Sequence, residues 1–351
     1  MAEPIRWGIL ATGNVAAAYV EDLALLDDCE VTAVASRSLA RAQAFAQRYD
    51  IKHAFDSVED LAADEEVDVV YIATPHSHHF APTVTCLEAG KHVLCEKAFA
   101  LNTQQAQAMF DVARQQKRFL MEAMWMRCNP AIREMRRAVN DGVIGEVQAV
   151  HATFSINGTF SPEHRLRNPR LAGGALLDMG VYPITLAHLL LGKPEYVQAT
   201  ALLSPERVDK YTAVTMRYRR ALAQLSCSFT GGPDSSATIV GSAGRIEIKS
   251  PFFRPNGYTL VRDGMPPRQI ESPYVGHGYV HQAMEVHRML RNNQLSSTLV
   301  PPSATLEVMK IMDDVRMQIG VEYPGEIPWR YRLLPLAHAV WKYEAGQSEA
   351  L

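Results

Sequence analysis

At 351 residues the chain is too long for one ordinary hydrophobic core and comfortable for two domains. With 47% hydrophobic and 21% charged residues it reads as globular, and a net charge of −3 with a pI near 6.5 argues against nucleic acid or an anionic membrane as partner. No apolar run reads as long enough to span a bilayer, and the N-terminus enters a strand too soon to leave room for a signal peptide. Five scattered cysteines (Cys29, Cys86, Cys95, Cys128, Cys227) contain no C-x-x-C and are expected to be reduced thiols in a cytoplasmic protein without structural zinc.

The run Ile5-Arg6-Trp7-Gly8-Ile9-Leu10 enters a turn, Ala11-Thr12-Gly13-Asn14-Val15-Ala16, and a helical pattern covers residues 14–26. Strand, tight turn and helix in this order are what a dinucleotide-binding βαβ unit needs, with the helix N-terminal amides facing a pyrophosphate. The glycine fingerprint is degenerate: Ala11 holds the first place, Gly13 the second and Ala16 the third. Gly13 matters most, because a side chain there would hold the backbone off the phosphates. Alone, the motif also suits a tight turn in any α/β protein. A second strand, 30–36, ends in Ser36-Arg37-Ser38, about 20 residues past the turn, where an NAD site carries Asp or Glu against the ribose hydroxyls. No carboxylate here repels a 2′-phosphate, and Arg37 can pair with one bidentately while the serines add hydroxyl donors. NADP is therefore favoured, with NAD possible; the alternative is that Arg37 is a solvated loop cation.

Strand and helix continue to alternate: a helix over 39–49, a capped helix start at 56–61, a strand over 67–73 stopping at Thr74-Pro75, a helix over 79–89 closed by Gly90, a strand over 92–95 ending in Glu96-Lys97, a helix over 103–116 and a strand over 119–123. This predicts a parallel sheet wound on both faces, with ligands at the carboxyl ends of its strands. Past residue 124 the pattern changes. A helix runs from Pro130 to near Gly142, a strand covers 146–156, and a polar loop (157–172) precedes a helix over 175–191. Strands follow at 196–203, 211–219, 222–230, 236–241 and 244–249, with shorter ones to 271, and helices at 279–292 and 303–320 close the pattern. The expected fold is α/β: an N-terminal Rossmann domain (1–124), a C-terminal α/β domain (125–327) with a large open, mainly antiparallel sheet, and a C-terminal extension (328–351). The second domain is expected to bind substrate and, by burying its spare sheet face against another subunit, to form a homodimer or higher homo-oligomer.

Glu96-Lys97 stands at a strand end beside the expected crevice, where a lysine can hold a substrate oxygen; a surface lysine lying over the sheet edge is the alternative. Asp178 and Tyr182 are spaced i, i+4, which puts them on one helical face among Leu176, Leu177, Val181, Leu186 and Leu190. A carboxylate in such surroundings needs a partner, and Lys97 suits it; Tyr182 can then move a proton at the reacting oxygen. The alternative is a capping Asp and a core tyrosine. The cluster His76-Ser77-His78-His79 invites a metal reading, but no partner shows zinc-site spacing, so a loop lining the pyrophosphate and nicotinamide is preferred and no metal is expected. His277, His281 and His287 read as packing or rim residues, the first two at a spacing that could line the site. Trp125, Arg127, Phe154 and Phe160 are candidate substrate walls, suited equally to a sugar ring or an aromatic diol.

Together these stretches, with Ala73-Thr74-Pro75-His76, Cys95-Glu96-Lys97, Met121-Glu122-Ala123-Met124-Trp125-Met126-Arg127 and Gly173-Gly174-Ala175-Leu176-Leu177-Asp178-Met179-Gly180-Val181-Tyr182, resemble the glucose–fructose oxidoreductase / inositol dehydrogenase / rhizopine-catabolism family. Within it the chain is most similar to the dihydrodiol and NADP-linked D-xylose dehydrogenase branch. The resemblance implies that Lys97, Asp178 and Tyr182 are catalytic. It also implies that Gly8, Ala11, Thr12, Gly13, Asn14, Val15, Ser36, Arg37, Ser38, Thr74, Pro75, His76, His79, Glu96 and Lys97 contact the cofactor. Three positions depart from the family pattern: Ala98 replaces a proline, Ala11 a glycine, and His76 stands where Asn is common. The implied activity is NADP-dependent hydride transfer to or from an aldose or a cyclic vicinal diol; the alternative is a non-catalytic sensor of NADP or ligand.

Overall fold

Strands that bury both faces read as continuous apolar runs, and those of the first 124 residues pair into a single parallel sheet. The structure is a computed structural model, described here for residues 3–324 and Glu326. Along the chain come β1 (Ile5–Leu10), α1 (Asn14–Leu23), β2 (Cys29–Ala35), α2 (Leu39–Tyr49), β3 (His53–Phe55), α3 (Val58–Ala63), β4 (Val69–Ile72), α4 (Phe80–Glu88), β5 (His92–Glu96), α5 (Thr103–Gln115) and β6 (Leu120–Ala123). The spatial order is β3-β2-β1-β4-β5-β6. Its direction reverses between β1 and β4, so the crevice above their carboxyl ends is the natural ligand site of such a sheet. Strand β3, only three residues long, has too little pattern to be read from sequence.

The chain then forms α6 (Pro130–Asn140), entered by Asn129, whose side chain accepts from Ile132 N at 3.1 Å. Next come β7 (Val147–Ser155), α7 (Val181–Leu191), β8 (Tyr196–Leu203), β9 (Asp209–Arg217), β10 (Leu222–Ser228), β11 (Ala237–Gly241), β12 (Gly244–Ile248), β13 (Gly257–Arg262) and β14 (Arg268–Glu271). These strands build an eight-stranded sheet in the order β14-β13-β12-β11-β7-β10-β9-β8, antiparallel except where β7 meets β10. One face packs Val150, Val214, Met216, Ala223 and Leu225 into the core. The other carries Tyr196, Leu202, Tyr211 and Leu222 in the open.

Helices α8 (Val280–Arg291) and α9 (Pro302–Ile319) return to the first sheet. The buried Asp22 carboxylate on α1 accepts the amides of His277 (2.7 Å), Tyr279 (2.7 Å) and Val280 (3.0 Å), capping α8 from another element. Trp7 Nε1 donates to His287 Nε2 at 3.0 Å, so α8 is also tied to β1. Helix α9 lies between α5, α7 and β8.

Two sequence expectations need correction. Residues 175–191 are not one regular helix: Leu176–Gly180 is a π-helical turn that leads into α7. The segment Pro169–Leu191 also has the length of a membrane span, at 23 residues, and an 18-residue window within it reaches a mean hydropathy of 1.4. Of that window 78% is buried inside the fold, and α7 is apolar all round because it is a core helix. The extension 328–351 lies outside the described residues.

Candidate active site

The turn after β1 opens a cavity of about 660 Å³ that runs from the carboxyl ends of the first sheet's strands to the loop and π-helical turn ahead of α7. At its outer end, α1 begins at Gly13 with no side chain capping its first amides, so those donors are free for a ligand. Gly13 lines the cavity, and a Cβ built on it would meet nothing within 4 Å, so a side chain there would project into space the fold leaves open. Ala11, Thr12, Asn14 and Val15 line the same turn. Ala11 adopts φ +99°, a conformation natural to the glycine it replaces, while its amide donates to Ala35 O at 2.9 Å. Ser36, Arg37 and Arg41 stand beyond the end of β2. These features fit a dinucleotide whose 2′-phosphate faces two guanidinium groups.

At the inner end, Lys97 follows β5 and Asp178 sits in the π-helical turn. Lys97 Nζ donates to Asp178 Oδ1 at 3.1 Å and to its carbonyl oxygen at 2.9 Å; Arg165 donates to Oδ2 at 3.0 Å. Burial would push the Asp178 carboxyl up, but the charges of Lys97 and Arg165 overcome it and hold the group well below the usual carboxylate range. The turn is fixed from below by Asp209, which accepts from Leu176 N (2.8 Å) and Thr212 Oγ1 (2.7 Å). Glu96, buried, accepts from Tyr71 Oη and, at 3.1 Å, from Lys97 N. The peptide between Lys97 and Ala98 is cis.

Tyr182 opens α7 behind this cluster. Its ring centroid is 5.2 Å from Lys97 Nζ, and its hydroxyl accepts from Trp125 Nε1 at 2.7 Å. Phe154 and Phe253 pack on the tyrosine ring at 5.5 and 5.0 Å, and Tyr279 lies 4.6 Å from Trp125, centroid to centroid. Burial, reinforced by Glu96, pushes the Tyr182 phenol far up and keeps it protonated.

Several expected contacts fall elsewhere. Gly8 does not line the cavity: its absent side chain makes room for Leu61 and Val67, which a Cβ would approach to 3.0 Å. Ser38 is spent as the cap of α2, accepting from Arg41 N. His79 is a buried brace, with Nδ1 2.9 Å from Ala98 O and Nε2 2.9 Å from Thr74 O, and burial pushes it down to about 4. Neutral, it donates to one of the two and ties the loops after β4 and β5 together. His76 does line the cavity with Thr74 and Pro75; it lies 3.8 Å from Asp178, and burial pushes it down to about 3. Arg127 is turned into the protein, donating to Leu299 O at 2.7 Å, and Phe160 packs on His164 and Phe229. Neither Trp125 nor Phe154 reaches the cavity wall; both enclose Tyr182. His277 pairs with Glu21, and His281 accepts from Val275 N, away from the site.

Arg41, Asp56, Ser57 and Arg165 line the cavity without having been read from sequence as site residues, and His78 lines it as part of the expected cofactor loop. Arg41 had a signal, being one helical turn beyond Arg37 at a helix start that faces the same crevice. Arg165 had none, since its loop carries no periodicity. Among the described residues one group, Asp28, Cys29 and His287, has ligand atoms close enough for a metal. Both of its imidazole nitrogens are already engaged, by Trp7 and Asp28.

Family models cover most of this architecture. An oxidoreductase family model with an NAD-binding Rossmann fold matches residues 5–124, and the GFO/IDH/MocA C-terminal domain matches 132–247. The chain belongs to the GFO/IDH/MocA oxidoreductase family. It is 37% identical to the D-xylose 1-dehydrogenase (NADP(+)) of Hypocrea jecorina, over 91% of this chain and 93% of that protein. It is 33% identical to the trans-1,2-dihydrobenzene-1,2-diol dehydrogenase of Homo sapiens, over 92% and 99%. Among solved structures, KijD10, a 3-ketoreductase from Actinomadura kijaniata in complex with NADP, superposes with a TM-score of 0.78 at 26% identity, covering 90% of this chain and 98% of the other. Membership in the GFO/IDH/MocA family makes the chain an oxidoreductase, and its two sheets are that family's two sheets.

Proposed function

We propose that the chain is an NADP-dependent dehydrogenase that oxidises a carbinol of an aldose or a cyclic vicinal diol, and reduces the matching carbonyl in reverse. The observation that carries this is the pairing of one cavity's two ends. Uncapped α1 amides and two arginines stand at one end, and a lysine held by a buried carboxylate stands at the other. The named activities of the xylose and dihydrodiol relatives support the substrate class. Ala11 to Val15, Ser36, Arg37 and Arg41 would hold the dinucleotide, and Thr74, Pro75, His76 and Glu96 would flank its nicotinamide. Bound there, the nicotinamide supplies or accepts the hydride.

Lys97 binds the reacting oxygen through its ammonium. Asp178 holds that ammonium in place, accepting from it at 3.1 Å on its carboxylate and at 2.9 Å on its carbonyl oxygen. Tyr182 holds the proton on its hydroxyl, gives it to the oxygen in reduction and takes it back in oxidation. Because Lys97 lines the cavity and Tyr182 lies behind it, a second reading has Lys97 hand over the proton directly, with Tyr182 only supporting it. A panel of aldoses and trans-dihydrodiols, each with NADP and NAD, tests the function by the absorbance of reduced nicotinamide. One NADP-linked substrate with clear turnover supports the reading; tight NADPH binding with no turnover across the panel would favour the sensor.

The same proposal includes the domain limits 1–124 and 125–327, a cytoplasmic location and a homodimer through the second sheet. Tyr196, Leu202 and Leu222 are 56%, 62% and 47% exposed on its outer face, and covering them would remove apolar area from water. Light scattering of the purified protein tests the dimer, and a monomer at micromolar concentration contradicts it.

A further inference from the structure

Resting on the assignment of Tyr182 as the proton donor, we propose that Trp125 is a positioning residue that acts through Tyr182: its indole N–H fixes the direction of the phenol proton and stabilises the phenolate left when that proton is given away. Indole nitrogen can only donate, so at 2.7 Å the Tyr182 oxygen must be the acceptor. The phenol's own proton is thus left for another partner, and among the described residues no acceptor takes it. A donor aimed at an oxygen that becomes negative during reaction is stabilising in proportion to the charge that develops there, more so where water is excluded. Both side chains are buried, at 5% and 4% exposure.

The indole is held in place from three sides. Tyr279 lies against it at 4.6 Å with a 35° tilt, and Phe253 meets it edge-on at 5.9 Å. Gly278 takes φ +102° beneath it, where a Cβ would stand 2.9 Å from the indole Cζ3. Only glycine both adopts that backbone and leaves that space. Tyr279 is itself fixed by Asp22, which accepts its amide at 2.7 Å. A wall residue needs its ring face toward the substrate; here the ring faces are spent on protein, and the one polar atom is spent on Tyr182.

The test is the pH profile of the holoenzyme. Trp125→Phe keeps an aromatic ring in the stack and removes the donor. Loss of a hydrogen bond to the phenolate raises the Tyr182 pKa, so the limb of kcat that reports it moves to higher pH in both reaction directions, by about one unit. At neutral pH kcat for oxidation falls about tenfold while NADP affinity, read by fluorescence, stays within about twofold. In a Tyr182→Phe background the same change has no further effect, because its target is gone. A wild-type pH limb in Trp125→Phe overturns the proposal, as does an equal loss in both backgrounds, which is the behaviour of a substrate wall. Near-normal turnover in Tyr182→Phe alone overturns the assignment of Tyr182 as donor and this proposal with it, whereas a slow Tyr182→Phe beside an unshifted Trp125→Phe overturns only the latter. Trp125→Leu, which removes the donor together with the ring, is the second variant if the phenylalanine protein does not fold, with the same expected shift.

Discussion

At Ala11 the backbone holds φ +99° in the turn that receives the dinucleotide, and the residue carries a Cβ that this conformation disfavours. An L side chain in that region costs about 1–2 kcal/mol. Ala11→Gly removes the cost and returns about 0.5–1 kcal/mol to the unfolded chain as backbone entropy. The difference predicts a net stabilisation of about 0.5–1 kcal/mol, which in a chain of this size raises the thermal midpoint by about 1 °C. The hydrogen bond from the Ala11 amide to Ala35 O survives the change. Thermal unfolding of the two apo proteins side by side reads the sign directly. Elsewhere an alanine-to-glycine change lowers stability, so a lower midpoint for Ala11→Gly would refute the strained turn.

Gly13→Val is expected to leave the midpoint of the apo protein unchanged, since the space above Gly13 is open, yet to abolish NADP binding by filling the cradle; calorimetric titration of NADP checks it. Arg37→Ala is expected to weaken NADP about 10- to 100-fold, the worth of a charge-assisted bond to phosphate, and to leave NAD affinity alone, so equal losses for both cofactors would contradict its role. Glu122 is buried, accepts from Thr305 at 2.8 Å, and is pushed up to about 7 by burial. With its folded pKa above the unfolded value of about 4.3, its stabilising contribution is complete at low pH and lost as pH rises toward about 7. Glu122→Gln should therefore flatten the fall in thermal midpoint between about pH 5 and pH 8, and a slope equal to the wild type's would contradict the burial argument.

The Rossmann half was legible because its signals are local. Buried strands are apolar runs, and the turn residues Gly13, Thr74-Pro75 and Glu96-Lys97 fall at strand ends that topology brings to one crevice. The partnership of Lys97 with Asp178 could be argued from burial alone, because a carboxylate among leucines needs a cation. What failed was direction. Gly8 and Ser38 are in the right motifs, but one faces α3 and the other its own helix start. Arg127 lies two residues from Trp125, yet the short helical turn at Trp125–Cys128 aims it at Leu299 instead of at the site. The π-helical turn at Leu176–Gly180 has no sequence period of its own, and Arg165 reaches Asp178 from an aperiodic loop. Such contacts depend on long-range packing that no window of the sequence contains.

The proposed chemistry turns on Lys97, held by Asp178, binding the reacting oxygen beside the nicotinamide. Its most direct test is the turnover of Lys97→Met with the best NADP-linked substrate, measured with NADP affinity and thermal midpoint in the same preparation. Loss of the cation leaves Asp178 to Arg165 alone, so some stability should be lost as well, up to about 3 kcal/mol. The expected result is a kcat reduced at least about 1,000-fold in a protein that is folded and still binds NADP. Turnover within about tenfold of the wild type would contradict it.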